Sequence, residues 1–382
     1  MRITTTLLAT CVVLAACNNK QDTKPNDGKV AETRTGAKPV GSPTDATTPA
    51  TPATPTGTAT VTAGTGDKFI PADAALLAHI DMKGLSGSPL WASNKALMDA
   101  DPEVKKQMEA FTACNMPFDG FRTVDIGVGA EAKNIAVVAQ GAGIGKPENL
   151  RCLQEKLNDK QWKLEDVAGG KPRLVFENGE AYGYLVDDDT LAIATKAWDA
   201  SVTSLMTGKG TSVRDGALKD VLAQADQSKH VWFAGNLPPQ LAAMATAQPG
   251  MSGMTGLKSV AGSLDLSAGL GLVLAFGMEN ADRARTSLAE VQKQFASVKP
   301  MAGMLGIPAT AVDKVTFEAK DAAVTMTASL TMDEINAMSS AMKAGGAGAG
   351  AGTTPTGTTP TDGSKIGTTH DKGAKPNPAT DM

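Results

Sequence analysis

Apolar and polar positions alternate most regularly near the end of the chain, where Val324, Met326, Ala328, Leu330 and Met332 are interleaved with Thr325, Thr327, Ser329 and Thr331. A period of two predicts a strand with one face buried and the other in water, and it argues against a sheet covered on both faces. Thr331 and Glu334 then have capping-box spacing, so a last helix is expected to open there and to stop at Gly345. Upstream, the apolar spacing predicts a strand over Leu76 to Met82. A helix follows, capped by Asp101 and started by Pro102, with Val104, Met108 and Phe111 on one face and its end near Cys114. Strands are expected over Phe121 to Val128 and Asn134 to Gln140, and then a helix opened by Pro147 with Leu150, Leu153 and Leu157 on one side. Two further strands, Arg173 to Glu177 and Ala181 to Val186, are joined by the turn signal Asn178-Gly179, and Asp187 to Asp189 turns the chain into Leu191 to Thr195.

The second half repeats this order. Val231 to Leu237 stands where Leu76 to Met82 stood, Leu257 to Val260 matches Phe121 to Val124, and Leu270 to Gly277 matches Ile135 to Gly141. A helix with Ala284, Leu288, Val291 and Phe295 at helical spacing comes next, and Val315-Thr316-Phe317-Glu318 echoes Leu174-Val175-Phe176-Glu177. Five matches in one order point to a diverged internal duplication, with repeats at 67–215 and 216–343. The expected fold class is α+β, with mainly antiparallel sheets and helices on one face.

The ends are of different composition. Residues 1–16 have a cationic start, a short apolar run and a small-residue exit, the marks of a secretory signal. Leu14-Ala15-Ala16-Cys17 resembles the lipobox of bacterial lipoproteins, which implies cleavage before Cys17, a lipid on that cysteine and a membrane as its partner. By analogy with lipoprotein sorting, Asn18 rather than Asp after Cys17 implies the outer membrane. Residues 17–66 are rich in Thr, Pro and Ala and offer almost nothing to bury, so they read as a disordered tether with a reach of about 40 Å. The tail, 344–382, has the same character. A net charge of -4 in 382 residues, with no basic run, argues against nucleic acid as a partner. With Cys11 in the leader and Cys17 assigned to lipid, Cys114 and Cys152 remain as one pair, and an oxidising compartment favours joining them.

Ile70-Pro71-Ala72-Asp73-Ala74, the strand ending in Asp81 and Ser88-Pro89-Leu90-Trp91 resemble the opening of uncharacterised secreted bacterial lipoproteins. In that family the SPLW segment is a turn, one cysteine precedes the second strand and another lies in the following helix, as Cys114 and Cys152 do here. The resemblance brings no activity with it.

Candidate chemistry is sparse. Gly141-Ala142-Gly143-Ile144-Gly145-Lys146 lies between a strand and a helix, as a phosphate cradle does, but Gln140 and Pro147 break the P-loop pattern. His79 and Asp81 share one strand face, where a hydrolase would place an acid/base pair. Asp187 to Asp189 lacks the glycine and glutamate of a calcium loop. Met251, Met254, Met301 and Met304 are paired thioethers of the kind that suit Cu(I). With Met244 they equally fit an open groove for an apolar ligand. No complete catalytic set and no cofactor site is legible. The sequence therefore favours a lipid-anchored envelope module, binding an envelope protein or apolar ligand without catalysis, over the hydrolase or the copper carrier.

Overall fold

The computed structural model describes residues 66–167, 170–176, 179–239, 242, 254–305 and 307–348. The leader, Cys17, the tether up to Thr65, Glu177, Asn178, Met244, Met251, the side chain of Met304 and the tail beyond Gly348 lie outside the described residues.

Twelve strands form one antiparallel sheet: β1 Ala74–Asp81, β2 Phe121–Gly129, β3 Ile135–Gly141, β4 Trp162–Glu165, β5 Arg173–Phe176, β6 Ala181–Asp187, β7 Thr190–Thr195, β8 Val231–Asn236, β9 Leu257–Asp265, β10 Gly269–Met278, β11 Thr316–Lys320 and β12 Ala323–Thr331. Their spatial order is β11-β12-β10-β9-β8-β1-β2-β3-β7-β6-β5-β4. The fold is thus α+β and antiparallel, as the alternation predicts. Strands of the two sequence halves lie on opposite sides of the central β1–β8 pair, where Leu77 is opposite Ala234 and His79 opposite Trp232. Four of the five sequence matches take equivalent places about that seam. The fifth does not: β11 is second outward from β10, whereas β5 is third outward from β3, so β6 is the positional counterpart of β11.

The described helices are α1 Met82–Ser86, α2 Pro89–Ala100, α3 Pro102–Ala113, α4 Pro147–Leu157, α5 Asp199–Met206, α6 Lys219–Leu222, α7 Ala281–Val298, α8 Ala309–Asp313 and α9 Met332–Gly348. Their starts follow from capping chemistry. Asp101 accepts from the amides of Glu103 and Val104, with Pro102 in the first turn of α3. Ser88 accepts from Trp91 N at 3.2 Å, so the SPLW segment is the start of α2 rather than a turn. Asn280 caps α7 through Arg283 N. The capping box of α9 is present, with Glu334 accepting from Thr331 N at 2.8 Å and Thr331 Oγ1 accepting from Glu334 N at 3.3 Å. That helix runs on through Gly345 to Gly348. A glycine costs a helix only about 1 kcal/mol against alanine, so it need not stop one.

Neighbouring residues of a strand point to opposite faces, and the centre of this sheet is buried on both. On one face Ala78, Ile80, Val124 and Ile126 pack under Met82 and Leu85 of α1. Farther out on that face α3 and α4 cover Leu174, Leu185 and Leu191, and α7 covers Phe276 and Val324. The longer helices α3, α4 and α7 thus share one face, as expected. The opposite face carries Leu77, Val138, Trp232 and Ala234, closed over by Phe69, Ile70, Val202 of α5, Val213 and Val221 of α6. A sheet with one wet face, the expectation drawn from β12, therefore holds at that strand, where Thr327 and Ser329 are exposed, and fails at the centre. The segments that cover the second face are short, and α5 and α6 were not legible as periodic runs.

Candidate functional site

The most buried polar chemistry lies at the β1–β8 seam. Register places His79 opposite Asp125 of β2 on one side and opposite Trp232 of β8 on the other. His79 Nδ1 is 2.7 Å from Asp125 Oδ1, and the imidazole stacks on the Trp232 indole with centroids 5.1 Å apart. Both ionisable groups are sealed, His79 at 6% exposure and Asp125 at 0%. Asp67, also buried, ion-pairs with Arg214. Arg214 donates to Gln227 Oε1 at 3.1 Å and stands over the Trp232 ring. Asp125 Oδ2 has no hydrogen-bond partner among the described residues. It faces Gly66, where a Cβ would come within 2.3 Å of it. Burial pushes the Asp125 carboxyl above the usual carboxylate range, while the hydrogen bond and charge of His79 pull the other way.

The predicted His79–Asp81 pair does not form. Asp81 ends β1 and caps α1, its Oδ1 accepting from Gly84 N at 2.9 Å. Its geometry is spent on the helix start, and the partner of His79 is Asp125, 46 residues away. Sequence reasoning missed Asp125 because only strand register brings it to His79. The available signal was its position with Thr123 on the face of the second strand opposite Val124 and Ile126.

The glycine loop and the acidic turn explain each other. Gly143 N donates to Asp189 Oδ1 at 2.9 Å, Gly145 N to Asp188 O at 2.9 Å and Gly141 N to Asp189 O at 2.9 Å. Asp189 also accepts from Arg122 at 3.1 Å, and these bonds, led by the Gly143 amide, hold its carboxyl below the usual range. The amides that would cradle a phosphate are occupied by the turn, and the carboxylate that would bind calcium is occupied by the loop. Gly145 is required by this contact, since a Cβ there would sit 1.8 Å from Asp187 O.

Cys114 and Cys152 are joined in a disulfide between the end of α3 and α4, with Cα atoms 5.6 Å apart. Met254 is 3% exposed and so lines no open groove, whereas Met301 is 51% exposed. Among the described residues no group of three or more His, Cys, Asp or Glu side chains could hold a metal ion. None of the described helices is long and apolar enough to cross a membrane.

No protein-family model and no curated protein matches the chain. Among solved structures, crystal form III of TP0453 aligns with a TM-score of 0.45 at 8% identity, covering 72% of this chain and 98% of that one. Crystal form I of TP0453 gives 0.43 at 9% identity over 72% and 97% of the two chains.

Proposed function

We propose that the chain is a lipid-anchored protein of the cell envelope, held at the outer membrane through Cys17, and that its folded part is a binding or structural module without catalysis. The observation that carries this reading is where the polar side chains go. Asp81 caps a helix, Asp189 and the glycine amides satisfy one another, and His79 with Asp125 lies sealed beneath residues 66–70. A catalytic acid or base must reach its substrate within hydrogen-bond distance; His79 and Asp125 are closed off from solvent, and the Asp81 and Asp189 carboxylates are engaged by backbone amides. The Cys114–Cys152 bridge adds support for export, since such bonds persist in oxidising compartments. The partner is an envelope protein or an apolar ligand.

Anchoring is tested with Cys17→Ser. The wild type should partition into the detergent phase and the variant should remain uncut or stay in the aqueous phase. Unchanged membrane association of the variant would sink the anchor. Pull-down from detergent-solubilised envelope, with residues 17–66 intact, tests the module: a reproducible partner is expected, and turnover of a hydrolase substrate abolished by His79→Ala would replace this reading.

A further inference from the structure

We propose that the His79–Asp125 pair is a proton-binding site that controls the junction formed by residues 66–70: with the proton bound this segment is locked over the sheet, and without it the segment loosens. The inference does not depend on the lipid anchor.

The junction is built on the pair. Gly66 lies against Asp125 Oδ2 and Val138. Asp67, the next residue, is fixed to Arg214. Ile70 O accepts from Val213 N at 2.9 Å, and Ala72 N donates to Thr211 O at 3.2 Å, which ties the junction to the 211–217 segment. The charged groups that face Asp125 are His79 from β1, Asp67 from the 67–69 turn and Arg214 from the 213–215 turn. β3 and β8 present the uncharged Val138 and Trp232. Arg214 balances Asp67, so with a neutral imidazole one carboxylate charge is left uncompensated in a site closed to water. Its second oxygen, Oδ2, has no donor among the described residues. Burying such a charge is costly, and two events relieve it: the pair takes up a proton, or the junction lifts and lets water reach Oδ2. Proton uptake therefore favours the closed junction. The raised proton affinity of Asp125, caused chiefly by burial, agrees in sign.

Hydrogen exchange of the full chain between pH 4 and pH 8, corrected for intrinsic exchange chemistry, reads the junction through the amides of Ala72 and Val213. Protection there should rise as pH falls, by up to about tenfold per pH unit where one proton is linked to closing, while β10 amides show no such slope. In Asp125→Asn the slope should vanish or reverse, since the charge that needed the proton is gone. An unchanged slope in that variant, or a flat wild-type profile, would overturn the proposal. If the variant does not fold, the wild type alone decides: a slope confined to the junction supports the proposal, and equal slopes at the junction and in β10 refute it.

Discussion

Reducing the Cys114–Cys152 bond tests the energetics of the first half of the sheet most directly. The bond closes a segment with a sequence separation of 38. In the chain-entropy account a loop of that length restricts the unfolded chain by about 4 kcal/mol, less any native strain. A folded body of this size has a melting entropy of about 0.6 kcal/mol per kelvin from the usual per-residue value, so the loss corresponds to about 7 °C in Tm. The native contacts should survive reduction. Cys114 is 1% exposed and lies in one apolar cluster with Met116, Ile144, Leu150, Leu153 and Trp162, which reduction leaves in place. Thermal unfolding followed by circular dichroism, with and without reductant, gives the shift. Alkylation and mass measurement verify the state of both sulfurs. Cys114→Ala/Cys152→Ala should melt lower still, because a buried sulfur is deleted and leaves a cavity. A verified reduction that moves Tm by less than about 2 °C would refute the reasoning, as would two free thiols in native material.

Thr331→Ala should destabilise the protein by about 1 kcal/mol through loss of the α9 cap, read as a shift in denaturation midpoint. Lys314 and the Thr331 amide hold Glu334 down to about 2. Its contribution is therefore present above the ordinary carboxyl value and lost as pH falls from about 4.5 to 2, and Glu334→Gln should remove that acid limb from the stability profile. Gly145→Ala should cost about 1–3 kcal/mol or more by forcing a Cβ into Asp187 O, and a midpoint equal to wild type would contradict the loop–turn contact. Under mild peroxide Met301 should oxidise well before Met254, and peptide mass mapping that found the reverse order would contradict their burial.

What was legible followed local rules. Proline and Asp101 fixed the start of α3, the Thr331–Glu334 pair fixed that of α9, the alternating run gave β12, and apolar runs gave β8 and β10, while of β9 only its first four residues were legible. Elements too short to show a period were not legible: β4 has four residues and α6 four. The site failed for a different reason. His79 was visible as a strand histidine, but its sequence neighbour Asp81 was drawn into capping by the chain's need to satisfy the first amides of α1. Asp125, Asp67 and Arg214 come from three other elements, and only the register of β1 with β2 and the path of residues 66–73 bring them together. In the sequence, the glycine loop is separated from the P-loop pattern by Gln140 and Pro147. Its actual use, an interlock with Asp187 to Asp189, is a long-range contact that spacing cannot reveal.

The same packing decides how the two sequence halves relate. Each presents its own run of strands, in an order mirrored about the seam. Burial is shared, however. Leu77 and Val138 from the first half lie in one apolar cluster with Leu218, Val221, Trp232, Ala234, Ala261 and Ala275 from the second. β1 and β8 are hydrogen-bonded neighbours in the middle of the sheet, so separating the halves would bare two strand edges. The seam is therefore the place where the fold has no spare surface. The buried ionisable groups sit there, beneath the residues that join the body to the preceding chain. A change in their charge must be answered by the seam's covering segments, because the strands beneath are fixed from both sides.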